Sequence, residues 1–212
     1  MRTHEGKARS INSQQFQEVI DTTLSTSKYP LRDCAVLAIS FYSGLRAMEI
    51  AALNYEDVLS PTGEIKNSLT LRKEGTKGSK GGSAYFSNAI LREHLSNYLV
   101  HKRCQSATVL NRSSKATDRT RPPELTGALF TSRAGTRFSP SSMSRLFSRL
   151  YLNAGLSGCT SHTGRRSLGR NLNRSGVSLY NIQKILRHSQ ISQTVQYIDV
   201  DEELLADIVS TV

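Results

Sequence analysis

Apolar residues along this chain recur at three- and four-residue steps far more often than they alternate, so the pattern predicts helices with one short interruption. Phe16, Val19, Ile20 and Leu24 form one stripe behind Ser13, the expected N-cap of a first helix. Leu31 to Ser43 is apolar on nearly every side, as a central helix must be, and Gly44 supplies its left-handed stop. A short helix from Ala47 to Leu53 follows. From Ile65 to Ser87 the period changes: Leu69 and Leu71 alternate with polar residues, Gly and Lys crowd positions 75 to 82, and Ala84-Tyr85-Phe86 resumes, which predicts a strand, a turn and a return strand.

Helical spacing returns at Ala89 to Arg103, with Ile90, Leu91, Leu95, Tyr98 and Leu99 on the inner side. Residues 105–124, rich in Ser, Thr, Arg and Pro, read as an internal loop, and Leu129-Phe130 begins a short strand. Ser139-Pro140 is a helix start, a capping hydroxyl before a proline at the first helical position. Met143, Leu146, Phe147, Leu150, Tyr151 and Ala154 then repeat toward the core. Three more helices are expected over Gly164 to Ser175, Leu179 to Arg187 with Ser178 as cap, and Ser192 through Tyr197, and Asp201 to Val212 can form a last amphipathic one. The fold class is therefore mainly α with a small β-hairpin: one domain over residues 11–200, an N-terminal tail over 1–10 and a C-terminal helix over 201–212.

Charge narrows the partner. In 212 residues, 28 Lys and Arg against 17 Asp and Glu give a net charge of +11, which suits a polyanion better than a neutral metabolite. Nucleic acid is the leading partner class, with an anionic membrane surface as the competitor. Cys34, Cys104 and Cys159 are widely spaced, with no CxxC pair and no metal-ligand interval, so they read as reduced, mostly buried thiols, and no metal site is expected. The first residues lack an apolar segment of the kind a signal peptide needs, and the apolar run from Cys34 to Tyr42 is too short to span a bilayer. An intracellular, cytoplasmic setting with no membrane partner is the expectation.

Chemistry concentrates near the C-terminus. His162 and Arg165 lie three apart at the start of a helix, whose dipole also favours an anion; His188 ends the next helix, and Tyr197 follows nine residues later. A tyrosine that attacks a phosphodiester needs cations to favour its phenolate and to stabilise charge on the non-bridging oxygens. On the helix after Pro140, the polar face carries Ser141, Ser144, Arg145, Ser148 and Arg149, small hydroxyls and forked donors that can approach a DNA backbone. Ser141, Ser142, Arg145, Arg149 and Lys80 are the candidate DNA-binding residues. The glycine and lysine spacing from Gly75 to Gly82 does not match a Walker A loop.

These segments resemble the tyrosine recombinase (phage integrase) family. Ser43-Gly44-Leu45-Arg46-Ala47-Met48-Glu49-Ile50 is similar to its early arginine box, and Thr76-Lys77-Gly78-Ser79-Lys80 to the hairpin turn that carries its lysine. Thr160-Ser161-His162-Thr163-Gly164-Arg165 resembles the His-x-x-Arg box, and the run from Ile185 to Tyr197 the nucleophile segment. The resemblance, in order from about Ile11 to the C-terminus, implies the family's catalytic-domain fold and a site-specific recombinase that cleaves and rejoins double-stranded DNA. It implies that Tyr197 forms a 3′-phosphotyrosyl link, that Arg46 and Arg165 hold the phosphate and that Lys77, with Lys80 as rival, protonates the leaving oxygen. His162 would assist proton transfer, His188 would hydrogen-bond the phosphate, and Glu49 would orient the site. No cofactor or metal would be required.

The resemblance further implies a homotetramer on two DNA sites, a monomer being possible without DNA, with the 201–212 helix lent to a neighbour. The chain starts almost at the catalytic domain, so the usual N-terminal DNA-gripping domain is expected to be missing. Gly164, Arg166 and Arg187 depart from the family pattern, which often has a larger apolar residue, His and Gly there. The alternatives are a type IB topoisomerase that relaxes DNA, and a non-catalytic DNA-binding regulator.

Overall fold

Helix α2 (Pro30–Ser43) organises the molecule because almost nothing along it is polar enough to face water: Cys34 through Ile39 and Phe41 are all buried. Its start is set by Pro30 at the first helical position and its end by Gly44 at φ 63°, a left-handed residue that glycine adopts without steric cost. The computed structural model describes residues 8–71, 82–112 and 125–197. Around α2 pack α1 (Ser13–Thr26), a long α5 (Ala89–Arg112) and α7 (Thr163–Arg174). Phe16 of α1 stacks on Phe41 at 4.1 Å between ring centroids, and burying an aromatic ring of this size is worth about 1.5–3 kcal/mol.

Between α2 and α5 the chain forms α3 (Ala47–Ala52), α4 (Tyr55–Val58) and a two-stranded antiparallel sheet, β1 (Ser68–Thr70) paired with β2 (Ser83–Tyr85). Leu69 sits opposite Ala84, the buried pair of an alternating pattern, which is the face the period-two reading anticipates. After α5, α6 (Pro140–Asn153) packs against α3 and α1, then come α7, α8 (Leu179–Leu186) and α9 (Ile191–Val195). The fold is mainly helical with one small sheet, as the periodicity predicts. No helix among the described residues is long and apolar enough to cross a membrane.

Several expectations are corrected. Asn12, not Ser13, caps α1: its side chain accepts the Gln15 N–H at 2.8 Å while Gln15 returns a bond to the Asn12 N–H. Leu24 and Ile90 lie on exposed helix faces, because the buried stripes of α1 and α5 are narrower than the runs of apolar residues. Helix α5 continues nine residues past Arg103, so 105–112 is helical rather than loop. No Gly or Pro interrupts that stretch, and the Thr108 hydroxyl donates to the Cys104 carbonyl one turn back. Leu129-Phe130 is not a strand: isolated bridges from Ala128 to Asn54 and from Thr131 to Arg137 flank it, and the Leu129 N–H is taken by the Leu53 carbonyl. Helix α4 went unanticipated, being a single turn capped by Asn54 and Asp57.

Cys34 and Cys159 are buried and Cys104 is exposed, all three as free thiols. Burial, with Asp33 and Asp21 nearby, pushes the Cys34 thiol up to about 12, so it stays protonated and inert. Of the N-terminal tail, residues 8–10 lie against α7: Arg166 donates to the Ala8 carbonyl and Arg170 to the Ser10 hydroxyl. The 113–124 part of the expected loop and the 201–212 helix lie outside the described residues.

Candidate active site

Four separate segments meet where α2 ends. Arg46 is the N-cap of α3, and Glu49 one turn on accepts both its backbone N–H, at 2.7 Å, and its guanidinium, at 2.9 Å. Glu49 is buried. Burial alone would raise its pKa, but Arg187, the Arg46 N–H and the Arg46 charge outweigh it and hold the carboxyl below its ordinary value. Arg165, three residues into α7, is 1% exposed and donates to the Gly44 carbonyl at 2.5 Å and to the Leu186 carbonyl. Those oxygens close α2 and α8, where helix dipoles favour a cation. Burial and the charges of Arg46 and Arg187 pull Arg165 down to about 9, so it remains a cation at neutral pH.

Close packing brings Arg165 there. Gly164 lies against α2 so tightly that a Cβ would meet the Phe41 nitrogen and Ser40 carbonyl carbon at 3.0 Å, which explains why this position holds no larger apolar residue. Gly169, further along α7, lies under Leu186 and Tyr197: a Cβ there would meet Tyr197 at 3.5 Å and Leu186 at 3.1 Å.

The segment from Ile185 to Tyr197 supplies the other half. His188 follows α8 and is buried; its Nδ1 shares a 2.9 Å hydrogen bond with the Thr194 hydroxyl of α9, and its ring meets the half-buried Tyr197 edge to face at 5.0 Å. Burial and the cations Arg165, Arg46 and Arg187 push His188 down to about 3, so its imidazole is neutral at physiological pH. His162, the N-cap of α7, is lowered too, by desolvation and then by Arg165 and Arg46. His162 and Tyr197 line one open cleft of about 520 Å³, whose far wall is the polar face of α6 at Ser144, Arg145 and Ser148.

Set against the sequence reading, Arg46, Glu49, Arg165, His188 and Tyr197 are brought into one cluster, and His162 joins Tyr197 at the cleft. Of the candidate DNA-binding residues, Arg145 lines that cleft and Arg149 is exposed one turn further on. Ser141 and Ser142 do not reach it. Their hydroxyls bond Ser139, at 3.1 and 3.0 Å, as part of the N-cap of α6. Lys77 and Lys80 lie outside the described residues. Sequence reasoning missed Thr194, Gly169 and above all Arg187, whose side chain pairs with Glu49 at 3.0 Å. Its only sequence signal was the arginine where a glycine was expected. Among the described residues no group of three or more His, Cys, Asp or Glu is arranged to hold a metal ion.

The profile of the phage integrase family matches residues 9–203. The tyrosine recombinase XerC of Chlamydia pneumoniae is 33% identical over 189 residues, 88% of this chain and 53% of the relative, and XerD of Oceanobacillus iheyensis is 26% identical over 95% of this chain and 62% of its own. This chain therefore spans little more than half the length of the curated relatives it matches. In shape it resembles the XerA recombinase, with a TM-score of 0.67 at 20% identity over 96% of this chain and 64% of that one. It also resembles XerH bound to its palindromic difH substrate after cleavage, at 0.65 and 16% over 99% and 55%. By the extent of the profile match and the identity to XerC, this chain belongs to the phage integrase family, the tyrosine recombinases.

Proposed function

We propose that the chain is the catalytic domain of a site-specific DNA recombinase that cleaves one strand through Tyr197 and rejoins it to a new partner. The observation that carries this reading is the convergence of Arg46, Arg165, His188 and Tyr197, from four segments, on one electropositive point. The Tyr197 oxygen attacks phosphorus, a phosphotyrosine ester forms on the 3′ side and the bond to the 5′-oxygen breaks, its electron pair leaving with that oxygen. His162 takes the phenol proton and Lys77 protonates the leaving oxygen, with Lys80 as the alternative donor. Arg46 and Arg165 hold the non-bridging oxygens as donors already positioned where charge develops. With the Thr194 hydroxyl donating to Nδ1, neutral His188 carries its proton on Nε2 and donates it to the phosphate. The ester conserves the bond energy, so rejoining is the same step in reverse and needs no cofactor or metal.

Double-stranded DNA is the proposed partner, reached through Arg145 and Arg149 as well as the cleft, with four protomers on two sites in an intracellular compartment and the 201–212 segment lent between them. The test uses the whole chain and a library of nicked duplexes randomised around the nick, where loss of the short 3′ fragment traps the ester. Wild type should give a denaturation-resistant adduct enriched in particular sequences, and Tyr197→Phe none. An adduct that persists in Tyr197→Phe, or none from wild type on any sequence, overturns the reading. Relaxation of supercoils without sequence enrichment would transfer it to a topoisomerase.

A further inference from the structure

Among the described residues Arg187 is the only one other than glycine with a positive φ, 53° with ψ 43°. It occupies the left-handed stop of α8, a conformation that disfavours any residue with a Cβ. Such backbone persists where the surroundings over-determine it, and here the side chain does so. Its guanidinium is nearly enclosed. One nitrogen bonds Glu49 Oε2 at 3.0 Å and the Gly44 carbonyl at 3.1 Å, and the other bonds the Ile185 carbonyl at 3.0 Å. Its aliphatic stem covers Gly82, where a Cβ would come within 2.9 Å of Arg187 Cδ.

The consequence falls on Glu49. Its Oε1 holds the Arg46 guanidinium, while Oε2 is divided between the Arg46 N–H and Arg187. A carboxylate facing one arginine alone can turn both oxygens to it as a bidentate pair, drawing that arginine onto itself. With Oε2 claimed by Arg187, Glu49 offers Arg46 a single oxygen. We propose that Arg187 is a positioning residue that acts through Glu49 to keep Arg46 turned toward an anion, and that its side chain is why a non-glycine residue occupies this left-handed stop. The proposal rests on the reading of the cluster as a phosphodiester site.

The test compares Arg187→Asn and Arg187→Gly, both tolerant of left-handed backbone, with Arg187→Lys, which keeps the charge without the fork, each alone and with Glu49→Gln. Two probes are used on the full chain: inorganic phosphate, and a duplex recovered from the adduct library in a single-turnover reaction. Arg187→Asn and Arg187→Gly should bind phosphate about five-fold more weakly and form adduct about ten-fold more slowly, and Arg187→Lys should recover part of both, while on the Glu49→Gln background each adds less than about two-fold. The acid limb of the adduct rate should also move to higher pH in Arg187→Asn. Glu49 faces Arg46, Arg165 and Arg187, and losing one of these cations lets it protonate sooner. Wild-type rates in both neutral variants, or equal factors on both Glu49 backgrounds, would overturn the proposal; if one of them does not fold, the other and Arg187→Lys carry the same comparison. A wild-type chain without Tyr197-dependent adduct sinks the phosphodiester reading instead, and the phosphate cycle still decides for or against Arg187.

Discussion

The two halves of the site are built differently. The arginine half is held by what lies under it: Arg165 is enclosed between the ends of α2 and α8, Glu49 is buried against two arginines, and Gly164 brings α7 within contact of the α2 backbone. The nucleophile half rides on α9, a five-residue helix whose Ile191 and Val195 are exposed and which sends one side chain, Thr194, into the interior. Isolated helices this short are unstable in water, so α9 keeps its place by that hydrogen bond and by the packing of Tyr197 on Gly169 and His188. The difference separates tasks. Charge stabilisation gains from rigid, preorganised donors, whereas in the proposed reaction the tyrosine has to travel with a covalent DNA strand.

Perturbing each half sharpens this contrast. The largest effect is expected from Phe41→Ala, which empties the α1 and α2 contact beneath the arginines and should cost about 3–5 kcal/mol in denaturant unfolding. Gly164→Ala should cost about 1–3 kcal/mol, because a Cβ would press on the Ser40 hydroxyl at 2.6 Å and on the α2 backbone at 3.0 Å, which cannot turn aside. If it proves neutral, α7 is not seated as tightly as the arginine half requires.

On the nucleophile side, Thr194→Val removes the partner of a buried imidazole nitrogen and should cost about 1–2 kcal/mol while slowing adduct formation more than it weakens DNA binding. Equal losses in both would mean that α9 shapes the DNA surface rather than the tyrosine. The histidine adds a pH signature. Its folded value lies near 3, below the ordinary 6.5, so as pH falls between those values the unfolded chain takes up a proton that the folded one refuses, and stability declines. His188→Gln should flatten that decline in denaturation series across the same window. Ile191→Ser, on the exposed side of α9, should change stability by less than about 0.5 kcal/mol.

How far the site was legible in the sequence follows the same division. Arg46, His162, Arg165, His188 and Tyr197 stand at recognisable spacings, and local signals such as Gly44, Ser139-Pro140 and Ser178 marked helix ends correctly. Solvent exposure of Leu24 and Ile90 escaped it, since apolar character does not say how wide a face its neighbours will cover. The hydrogen bonds that tie the Ser141 and Ser142 hydroxyls to the Ser139 cap escaped it too, because a serine near a helix start can serve its own backbone or a ligand equally well.

By itself the sequence determined a helical chain with one small hairpin, its basic character and the residue types and spacing of the family's motifs, because periodicity, net charge and motif spacing are local or additive properties. Only the tertiary structure decided that Glu49 is shared between Arg46 and Arg187, that Arg165 closes two helix ends and that Gly164 and Gly169 are spaces left for their neighbours. Those are contacts between residues as many as 138 positions apart. No local rule can supply them, since a charge acquires its partner, and a missing Cβ its purpose, from whatever the fold packs against it.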